Sequence, residues 1–430
     1  MSGKISSVRG MHDLLPRDAA RWHVLEEAAR VLFTRYGYEE ARTPIVEETA
    51  LFARGIGEGT DVVAKEMYAF ADRDGTSLAL RPEGTAGLAR AYVEHGFGVD
   101  DPQQRWFYLG PMFRHERPQK GRYRQFFQIG VEALGSADPR VDAEQLEMAA
   151  RYFQYVGLSG VELRLNSVGD EKCRPAYREA LTRLFLDRFG DLCDQHRNET
   201  ASKNPLRVLD CKTDRCRAVA KDAPALIDRL CDECNTHWGD LRKQLEGLGV
   251  AYTVDSRIVR GLDYYTRTAF EFVLPDGAGL GSQNALGGGG RYDQLVRELG
   301  GPPTPGVGFA LGVERLALAL EAIGKGERHG PDLFVATQGP EAEGAVLQIG
   351  STCRTAGARV EVNLRKANLG NQLRRADRQK ATFVVVIGAA ELAGGRVRLK
   401  RLATGVEEEV ALADLGREVV SRCRAADHNV

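Results

Sequence analysis

The chain of 430 residues lacks long hydrophobic runs, and its apolar stretches, such as Phe383–Ala390, fall far short of the ~18 residues that span a bilayer. Met1–Pro16 has no apolar core and no cleavage-like site, so we expect no secretory signal. The chain also lacks an excess of one charge, because it has 59 Lys and Arg residues and 60 Asp and Glu residues. These absences predict a cytoplasmic protein with no membrane partner, either an enzyme or a binding protein.

Two common nucleotide-binding motifs are absent. No G-x-x-x-x-G-K-[ST] phosphate loop occurs, and no G-x-G-x-x-G opens a helix after a strand. The 48 glycines form neither a low-complexity tract nor a repeat of fixed period. A nucleotide, if the protein binds one, must therefore be held in another way.

Disulfides are a poor expectation for the eight cysteines, because no secretory signal is expected. Six of the cysteines lie between Cys173 and Cys234. Within this cluster, Cys211 and Cys216 have four residues between them, and Cys231 and Cys234 have two. Both spacings occur in structural zinc sites. Two interpretations stay open. Either one zinc site has four ligands, Cys211, Cys216, Cys231 and Cys234, or the cysteines are free thiols in a helical insertion.

The order of predicted elements divides the chain. Residues 1–325 alternate helices with mainly antiparallel strands, and a helical, cysteine-rich insertion occupies about 171–249. Residues 326–331 belong to a glycine-rich, charged linker. From 332 to 430 strands and helices alternate, which predicts a small α/β domain with parallel strand pairs.

Two strands with a period of two predict a hairpin with one polar face. Within Arg105–Glu116 and Gln125–Leu134, apolar residues share odd positions: Phe107, Leu109, Phe113, Phe127, Ile129, Val131 and Ala133. The even positions carry Arg114, Gln128 and Glu132. Such a face can form the floor of a polar pocket, in which an arginine grips a phosphate or carboxylate. A solvated strand face with surface charges is the alternative.

Two further segments are rich in polar or flexible residues. Arg260–Thr266 combines an arginine, an aspartate and two tyrosines around a glycine, which suits either a binding site or a surface turn. Gly287–Leu299 is expected to be a glycine turn that leads into a helix.

Four motifs, in this order, resemble the histidyl-tRNA synthetase family of class II aminoacyl-tRNA synthetases: Arg81–Thr85, Phe113–Glu116, Arg260–Thr266 and Gly308–Leu316. The resemblance extends over nearly the whole chain. The R-G-L-D-Y-Y-T and G-G-G-R-Y-D runs are its more specific elements, and no class I H-I-G-H or K-M-S-K-S run occurs.

This resemblance implies an α+β class II catalytic domain, with an antiparallel sheet flanked by helices and a helical insertion, and a C-terminal α/β anticodon-binding domain. It implies that the protein is a ligase that activates L-histidine with ATP and Mg²⁺, releasing pyrophosphate. The histidyl group then passes to tRNA(His), releasing AMP. A homodimer is also implied, with Pro44 near its interface, and any zinc would be structural.

The resemblance further implies a role for each matched residue. Arg114 and Arg260 would flank the α-phosphate as catalytic residues, and Arg260 would do work that other synthetases leave to a metal ion. Glu132 and Tyr264 would read the two imidazole nitrogens. The full histidine set is Glu83, Gly84, Thr85, Gln128, Glu132, Arg260, Tyr264 and Tyr265. The full ATP set is Arg114, Glu116, Phe126 and Arg315.

Binding of tRNA should leave a local electrostatic signature. Residues 359–380 hold seven Lys or Arg and two Asp or Glu, which fits an anticodon-binding domain, although a solvated helix face would look similar. The hairpin loop carries Arg117, Lys120, Arg122 and Arg124. Arg117 and Gln119 match the region that meets the acceptor end in the family.

Two alternatives compete with the ligase. The regulatory subunit of ATP phosphoribosyltransferase resembles this catalytic domain but lacks the anticodon-binding domain. A synthetase-like ligase that acts on a protein lysine would not need the imidazole-reading residues.

Overall fold

The computed structural model describes residues 5–57, 60–197, 204–209, 211, 213–258, 264–275, 284–326, 330–365 and 367–427. The chain forms two compact units, Met1–Glu327 and Arg328–Val430. Among the described residues no helix is long and apolar enough to cross a membrane.

The first unit is built from alternating helices and strands. Its helices are α1 Pro16–Arg35, α2 Thr49–Ile56, α3 Thr85–Glu94, α4 Phe97–Asp100, α5 Pro139–Tyr155, α6 Arg174–Asp187, α7 Leu206–Leu209, α8 Asp214–Ala220, α9 Asp232–Gly247, α10 Leu295–Glu298 and α11 Val313–Ala322. Its strands are β1 Glu39–Glu40, β2 Val46–Glu48, β3 Tyr68–Ala71, β4 Ser77–Leu80, β5 Gln104–Phe113, β6 Gln125–Leu134, β7 Glu162–Ser167, β8 Thr253–Val254, β9 Thr266–Val273, β10 Ala285–Arg291 and β11 Gly306–Gly312. Short helical turns occur at Val62–Glu66, Phe189–Asp191 and Leu226–Arg229.

Eight strands form the main sheet in the order β1-β5-β6-β11-β10-β9-β7-β8. The six central strands are antiparallel, and only the short edge strands β1 and β8 pair in parallel with their neighbours. The fold class expected from the sequence is confirmed. The expected hairpin is also confirmed, because β5 and β6 pair along their full lengths from Gln104↔Leu134 to Phe113↔Gln125.

Alternation along these strands separates two faces of the sheet. One face packs against α1, α5, α9 and α11 through residues that include Phe107, Val131, Phe270 and Phe309. The opposite face carries Tyr108, Gln128 and Glu132, as the period-two pattern predicted. A second, three-stranded sheet of order β2-β4-β3 lies in the same unit.

The expected glycine turn at Gly287 is wrong, because Ala285–Arg291 forms strand β10 in the centre of the sheet. Here the glycines allow close approach to the neighbouring strand. A Cβ atom added at Gly289 would lie 1.9 Å from the carbonyl oxygen of Gly308, and one at Gly287 would lie 2.3 Å from that of Ala310. A glycine run in a sequence thus predicts close packing as readily as a turn.

The insertion between β7 and β8 is helical, as expected, and has a small core of its own. Helix α9 connects it to the sheet, because Trp238, Leu241 and Leu245 pack in the main core while Cys234 packs in the core of the insertion.

The second unit is a five-stranded sheet with helices on both faces. Its strands are β12 Leu333–Thr337, β13 Val360–Val362, β14 Phe383–Ile387, β15 Arg396–Arg401 and β16 Glu407–Ala411, and its helices are α12 Pro340–Thr355, α13 Leu369–Arg378, α14 Ala389–Gly394 and α15 Leu415–Asp427. The predicted parallel pairs are confirmed for β12 with β13 and with β14. The antiparallel pairs β14–β15 and β15–β16 were not predicted.

Candidate active site

The polar face of the main sheet forms the floor of a cavity of about 380 Å³. Strands β5, β6, β9, β10 and β11 supply the floor, and the start of α3, the β5–β6 loop and the start of α11 supply the walls. Most of the predicted site residues line this cavity: Glu83, Thr85, Arg114, Glu116, Phe126, Gln128, Tyr264, Tyr265 and Arg315.

The first turn of α3 places two of these residues. Glu83 accepts hydrogen bonds from the backbone N–H groups of Thr85 (2.7 Å) and Ala86 (2.8 Å), so its carboxylate caps the helix. Burial raises the pKa of Glu83. The adjoining Gly84 is needed for packing, because a Cβ atom there would lie 2.3 Å from the ring of Tyr108.

Glu132 does not line the cavity but lies behind two residues that do, Thr85 and Tyr292, and it is 2% exposed. The Thr85 hydroxyl donates a hydrogen bond of 2.7 Å to its Oε1, and the Tyr292 hydroxyl donates to its Oε2. Burial raises the pKa of Glu132 to about 8. Gly308 opposite leaves room for this carboxyl, because a Cβ atom at Gly308 would lie 1.7 Å from Oε2.

Three tyrosines close the same end of the cavity. The ring centroids of Tyr264 and Tyr265 are 4.8 Å apart, and those of Tyr264 and Tyr292 are 5.7 Å apart. On the floor, Gln128 has a buried Oε1 that accepts no hydrogen bond from any residue the structure describes. An unpaired buried acceptor costs free energy, so this end of the cavity suits a ligand that donates hydrogen bonds.

A group of arginines lies in the rest of the cavity. The Arg114 Nε donates 2.9 Å to the carbonyl of Pro82, and its guanidinium lies 5.3 Å from the centroid of the Phe126 ring. Arg315 donates to the carbonyls of Gly121 (3.1 Å) and Ala285 (2.6 Å). These bonds hold both guanidiniums in place.

The arginines also act on one another. Burial, with further contributions from Arg122 and Arg114, lowers the pKa of Arg315. Partly buried like charges repel, so this cluster favours an anionic ligand with several charged oxygens. Glu116, which is expected at the adenine, forms an ion pair with Arg122.

Sequence reasoning missed several residues of this site. Tyr292 bonds Glu132, and the preceding Arg291 is fully buried in an ion pair with Asp142 that fixes the end of β10. Glu314 accepts from the backbone N–H of Phe127 at 2.9 Å, and burial raises its pKa to about 7. These residues lie in the G-G-G-R-Y-D and V-E-R motifs, but the motifs alone do not indicate that their side chains are buried.

Other predicted residues lie outside the cavity. Arg117 and Gln119 are exposed on the β5–β6 loop, and Gly84 supports α3 without lining the cavity. Arg260 lies outside the described residues, so its role stays a prediction.

The expected four-cysteine site is wrong as a set. Cys211 and Cys216 cluster with Cys193 and His196, whereas Cys231 and Cys234 cluster with Asp170 and Cys173. Spacing alone failed because each pair finds its partners in a segment earlier in the chain, and these partners include two non-cysteine residues.

A largely antiparallel sheet whose polar face carries clustered arginines and a buried polar pocket defines the catalytic domain of a class II aminoacyl-tRNA synthetase. The family model described as histidyl-tRNA synthetase matches residues 10–316, and the one described as an anticodon-binding domain matches residues 332–422. The chain belongs to the histidyl-tRNA synthetase family and is an ATP-dependent ligase of this class.

Similar proteins support this membership over the full length. The histidine–tRNA ligase of Anaeromyxobacter sp. (strain K) is 52% identical over 420 residues, covering 97% of this chain and 99% of the relative. That of Syntrophotalea carbinolica is 47% identical, covering 98% and 99%. The crystal structure of apo histidyl-tRNA synthetase from S. aureus has a TM-score of 0.79 and 36% identity, covering 97% and 100%.

Proposed function

We propose that the cavity binds L-histidine and ATP side by side and forms histidyl-adenylate, and that the same protein then transfers the histidyl group to tRNA(His). The observation that carries this proposal is a single cavity that joins an arginine cluster to a pocket of Thr85 and tyrosines, with Glu132 bonded to Thr85 behind it. Arg114 connects the pocket with the arginine cluster. Its guanidinium donates a hydrogen bond to the carbonyl of Pro82, which precedes Glu83, and lies over the ring of Phe126.

In the first step, a carboxylate oxygen of histidine attacks the α-phosphorus. A new O–P bond forms, and the bond from phosphorus to the pyrophosphate oxygen breaks. Negative charge grows on the α-phosphate, and Arg114 stabilises it together with Arg260, the second arginine that the family resemblance implies. Arg315 holds the triphosphate and Phe126 stacks on the adenine, a proposal supported by the fact that both side chains line the cavity.

In the second step, a hydroxyl oxygen of the terminal adenosine of tRNA attacks the histidyl carbonyl carbon and forms an ester bond. The bond from that carbon to the phosphate oxygen breaks, AMP leaves with the bonding electrons, and the hydroxyl proton is released to solvent. The histidine itself is held at both ends. Glu83 and Gln128 accept from its ammonium group, and Glu132 and Tyr264 read the imidazole. Because the reactants are fixed in place, positioning supplies much of the rate.

Magnesium would enter with ATP as part of the substrate. Glu271 and Glu314 line the cavity together with Arg315 and offer the carboxylate oxygens that Mg²⁺ prefers. No step needs zinc, so zinc in the insertion would be structural. We place the protein in the cytoplasm, where its tRNA substrate is used.

Exchange of pyrophosphate into ATP tests this function. Only histidine among single amino acids should support exchange, because the ligase forms adenylate with histidine alone. The regulatory-subunit alternative predicts no exchange with any amino acid, and a ligase for protein lysine predicts exchange with another amino acid. Relatives named as ligases over the whole chain, together with the anticodon-binding match, favour the ligase.

We propose that residues 1–325 act as the catalytic domain, 326–331 as a linker and 332–430 as the anticodon-binding domain. In the second unit, Arg365, Arg374, Arg378 and Lys380 are exposed. Exposed basic side chains on one short segment suit contacts with phosphates.

A chain that ends at Lys325 should form histidyl-adenylate but charge tRNA poorly. We expect the KM for tRNA to rise about tenfold or more, because several phosphate contacts are lost. Pyrophosphate exchange and aminoacylation at low tRNA concentration measure the two steps. In the full chain, Arg374→Glu with Arg378→Glu should raise the same KM. Normal charging by both proteins would contradict an anticodon-binding role.

We further propose that the protein is a homodimer and that the β2-β4-β3 sheet forms part of its interface. This sheet and the residue beside Pro44 expose large apolar side chains: Ile45 is 42% exposed, Val46 40% and Phe70 46%. Adjacent apolar groups on a surface favour association.

Phe70→Asp should therefore shift the protein from dimer to monomer, because a buried, unpaired carboxylate opposes the contact. Sedimentation or light scattering gives the mass. Val406→Asp is the matched control, because Val406 is a 54% exposed apolar residue in the second unit. A wild-type monomer would contradict the proposal.

A further inference from the structure

Among the described residues, two clusters of metal-ligating side chains lie in or directly beside the insertion, and neither contains a residue that lines the catalytic cavity. The Cys₃His cluster consists of Cys193, His196, Cys211 and Cys216, and the Cys₃Asp cluster consists of Asp170, Cys173, Cys231 and Cys234. Within each cluster, the four ligand atoms all lie within 4.8 Å of one another.

We propose that each of these clusters binds one structural Zn²⁺ ion, so that the folded chain holds two.

The distances in the Cys₃His cluster match the edges of a zinc tetrahedron. With Zn–S near 2.3 Å and Zn–N near 2.0 Å, such a site has S···S edges of about 3.8 Å and S···N edges of about 3.5 Å. Cys193 Sγ lies 3.9 Å from Cys211 Sγ and 3.2 Å from His196 Nδ1. Cys216 Sγ lies 3.6 Å from the same nitrogen.

Disulfides explain these clusters less well. Each cluster has three cysteines, so one disulfide would leave a thiol beside a histidine or an aspartate without a partner. A zinc ion uses all four groups.

The ligands follow the chain spacing of zinc sites. Each cluster joins two short segments: Cys193-x₂-His196 with Cys211-x₄-Cys216, and Asp170-x₂-Cys173 with Cys231-x₂-Cys234. Pairs separated by two to four residues, brought together by the fold, are typical of structural zinc.

Backbone N–H groups donate to one sulfur atom in each cluster. The Cys193 N–H donates to Cys216 Sγ at 3.4 Å, and the Cys231 N–H donates to Cys173 Sγ at 3.2 Å. N–H donors of this kind commonly surround the sulfur ligands of bound zinc.

The core of the insertion is small. Among the residues that the structure describes it has ten buried members, and three of them are the cysteines Cys173, Cys216 and Cys234. A core this small buries little apolar surface, and small units of this kind commonly depend on a metal or disulfides.

The Cys₃Asp cluster has a direct connection to the catalytic pocket. Arg174, next to Cys173, donates to the carbonyl of Tyr265, and the Arg267 N–H donates 2.6 Å to the carbonyl of Gly169. Loss of zinc here should therefore disturb the tyrosines that line the pocket, whereas loss from the Cys₃His cluster should loosen the insertion alone.

Metal analysis of the full chain, reduced, reconstituted with Zn²⁺ and desalted, tests the proposal. We expect two zinc ions per chain, falling to one in Cys211→Ser and to one in Cys231→Ser. Cys423→Ser is the matched control, because Cys423 is half-buried in the second unit, and it should retain two. The histidine KM should rise in Cys231→Ser and change little in Cys211→Ser.

A second measurement needs no variant. Mercurial titration of the wild-type chain, with a zinc-indicator dye, should release two zinc ions as the six insertion thiols react. Co²⁺-loaded protein should show absorption bands of thiolate ligation at two equivalents. Fewer than two zinc ions in the wild type, disulfides among these cysteines in the protein as isolated, or two zinc ions retained in either serine variant of the clusters would overturn the proposal.

Discussion

Replacing Glu132 with alanine should lower kcat/KM for histidine by about 10⁴-fold, the effect expected where a buried hydrogen-bonding group that reads the substrate is lost. The physical reason is the position of the carboxyl, which is 2% exposed and bonded to Thr85 and Tyr292. Its removal leaves both hydroxyls and the imidazole without this partner. Histidine-dependent pyrophosphate exchange measures the loss, and the KM for ATP should change little.

The pH dependence of histidine binding gives a sharper test of Glu132. Burial raises the pKa of this carboxyl to about 8, so the free protein holds its proton at pH 7. Free imidazole has a pKa of about 6.5. If the bound pair shares one proton, binding releases a proton below about pH 6.5 and takes one up above about pH 8. Affinity should then be flat between these values and fall on either side.

Glu132→Gln is the conservative control, because an amide is close in shape and does not titrate. It should lose less activity than Glu132→Ala, bind protonated histidine poorly, and lose the alkaline limb of the profile while keeping the acid limb. Wild-type kcat/KM in Glu132→Ala would mean that another group reads the imidazole. An unchanged alkaline limb in Glu132→Gln would assign that limb to another residue.

The polar face of the hairpin could be predicted because a strand has a side-chain period of two. Arg114, Gln128 and Glu132 occupy even positions opposite an unbroken apolar set, and the structure places all three at the cavity or directly beneath it. No comparable pattern in the sequence indicates that the Tyr292 hydroxyl donates a hydrogen bond to Glu132. That contact joins residues 160 positions apart, and it depends on the order of strands in the sheet.

The glycine run and the cysteines show why local patterns were insufficient. Gly287–Gly290 forms a central strand because β9 and β11 pack closely on either side, a tertiary fact that overrides the turn preference of glycine. The cysteine pairs had zinc-like spacing, but their partners lie 18 and 61 residues away, as in the Cys193–Cys211 and Asp170–Cys231 contacts. Spacing identifies two of the four ligands in each cluster, and the fold brings the other two ligands to them.

The arginine cluster leads to a second prediction, which concerns the rate of adenylate formation. Arg114→Ala should lower the rate of adenylate formation by about 10²–10³-fold, because one preorganised charge at the reacting phosphate is lost. Its guanidinium is preorganised by the bond to Pro82 and by Phe126. Arg114→Lys keeps the charge without the planar fork, so its rate should lie between those of wild type and alanine. Single-turnover formation of histidyl-adenylate at saturating histidine measures this step.

Arg117→Ala is the matched control, because Arg117 lies three residues further along the same loop and is exposed. It should leave pyrophosphate exchange unchanged and lower aminoacylation, since its proposed contact is with the acceptor end of tRNA. Arg114→Ala should lower both, because no charging occurs without adenylate. Normal exchange in Arg114→Ala would remove this residue from the α-phosphate. Equal losses of exchange in both variants would point to a disturbed loop, because only one of the two side chains lines the cavity.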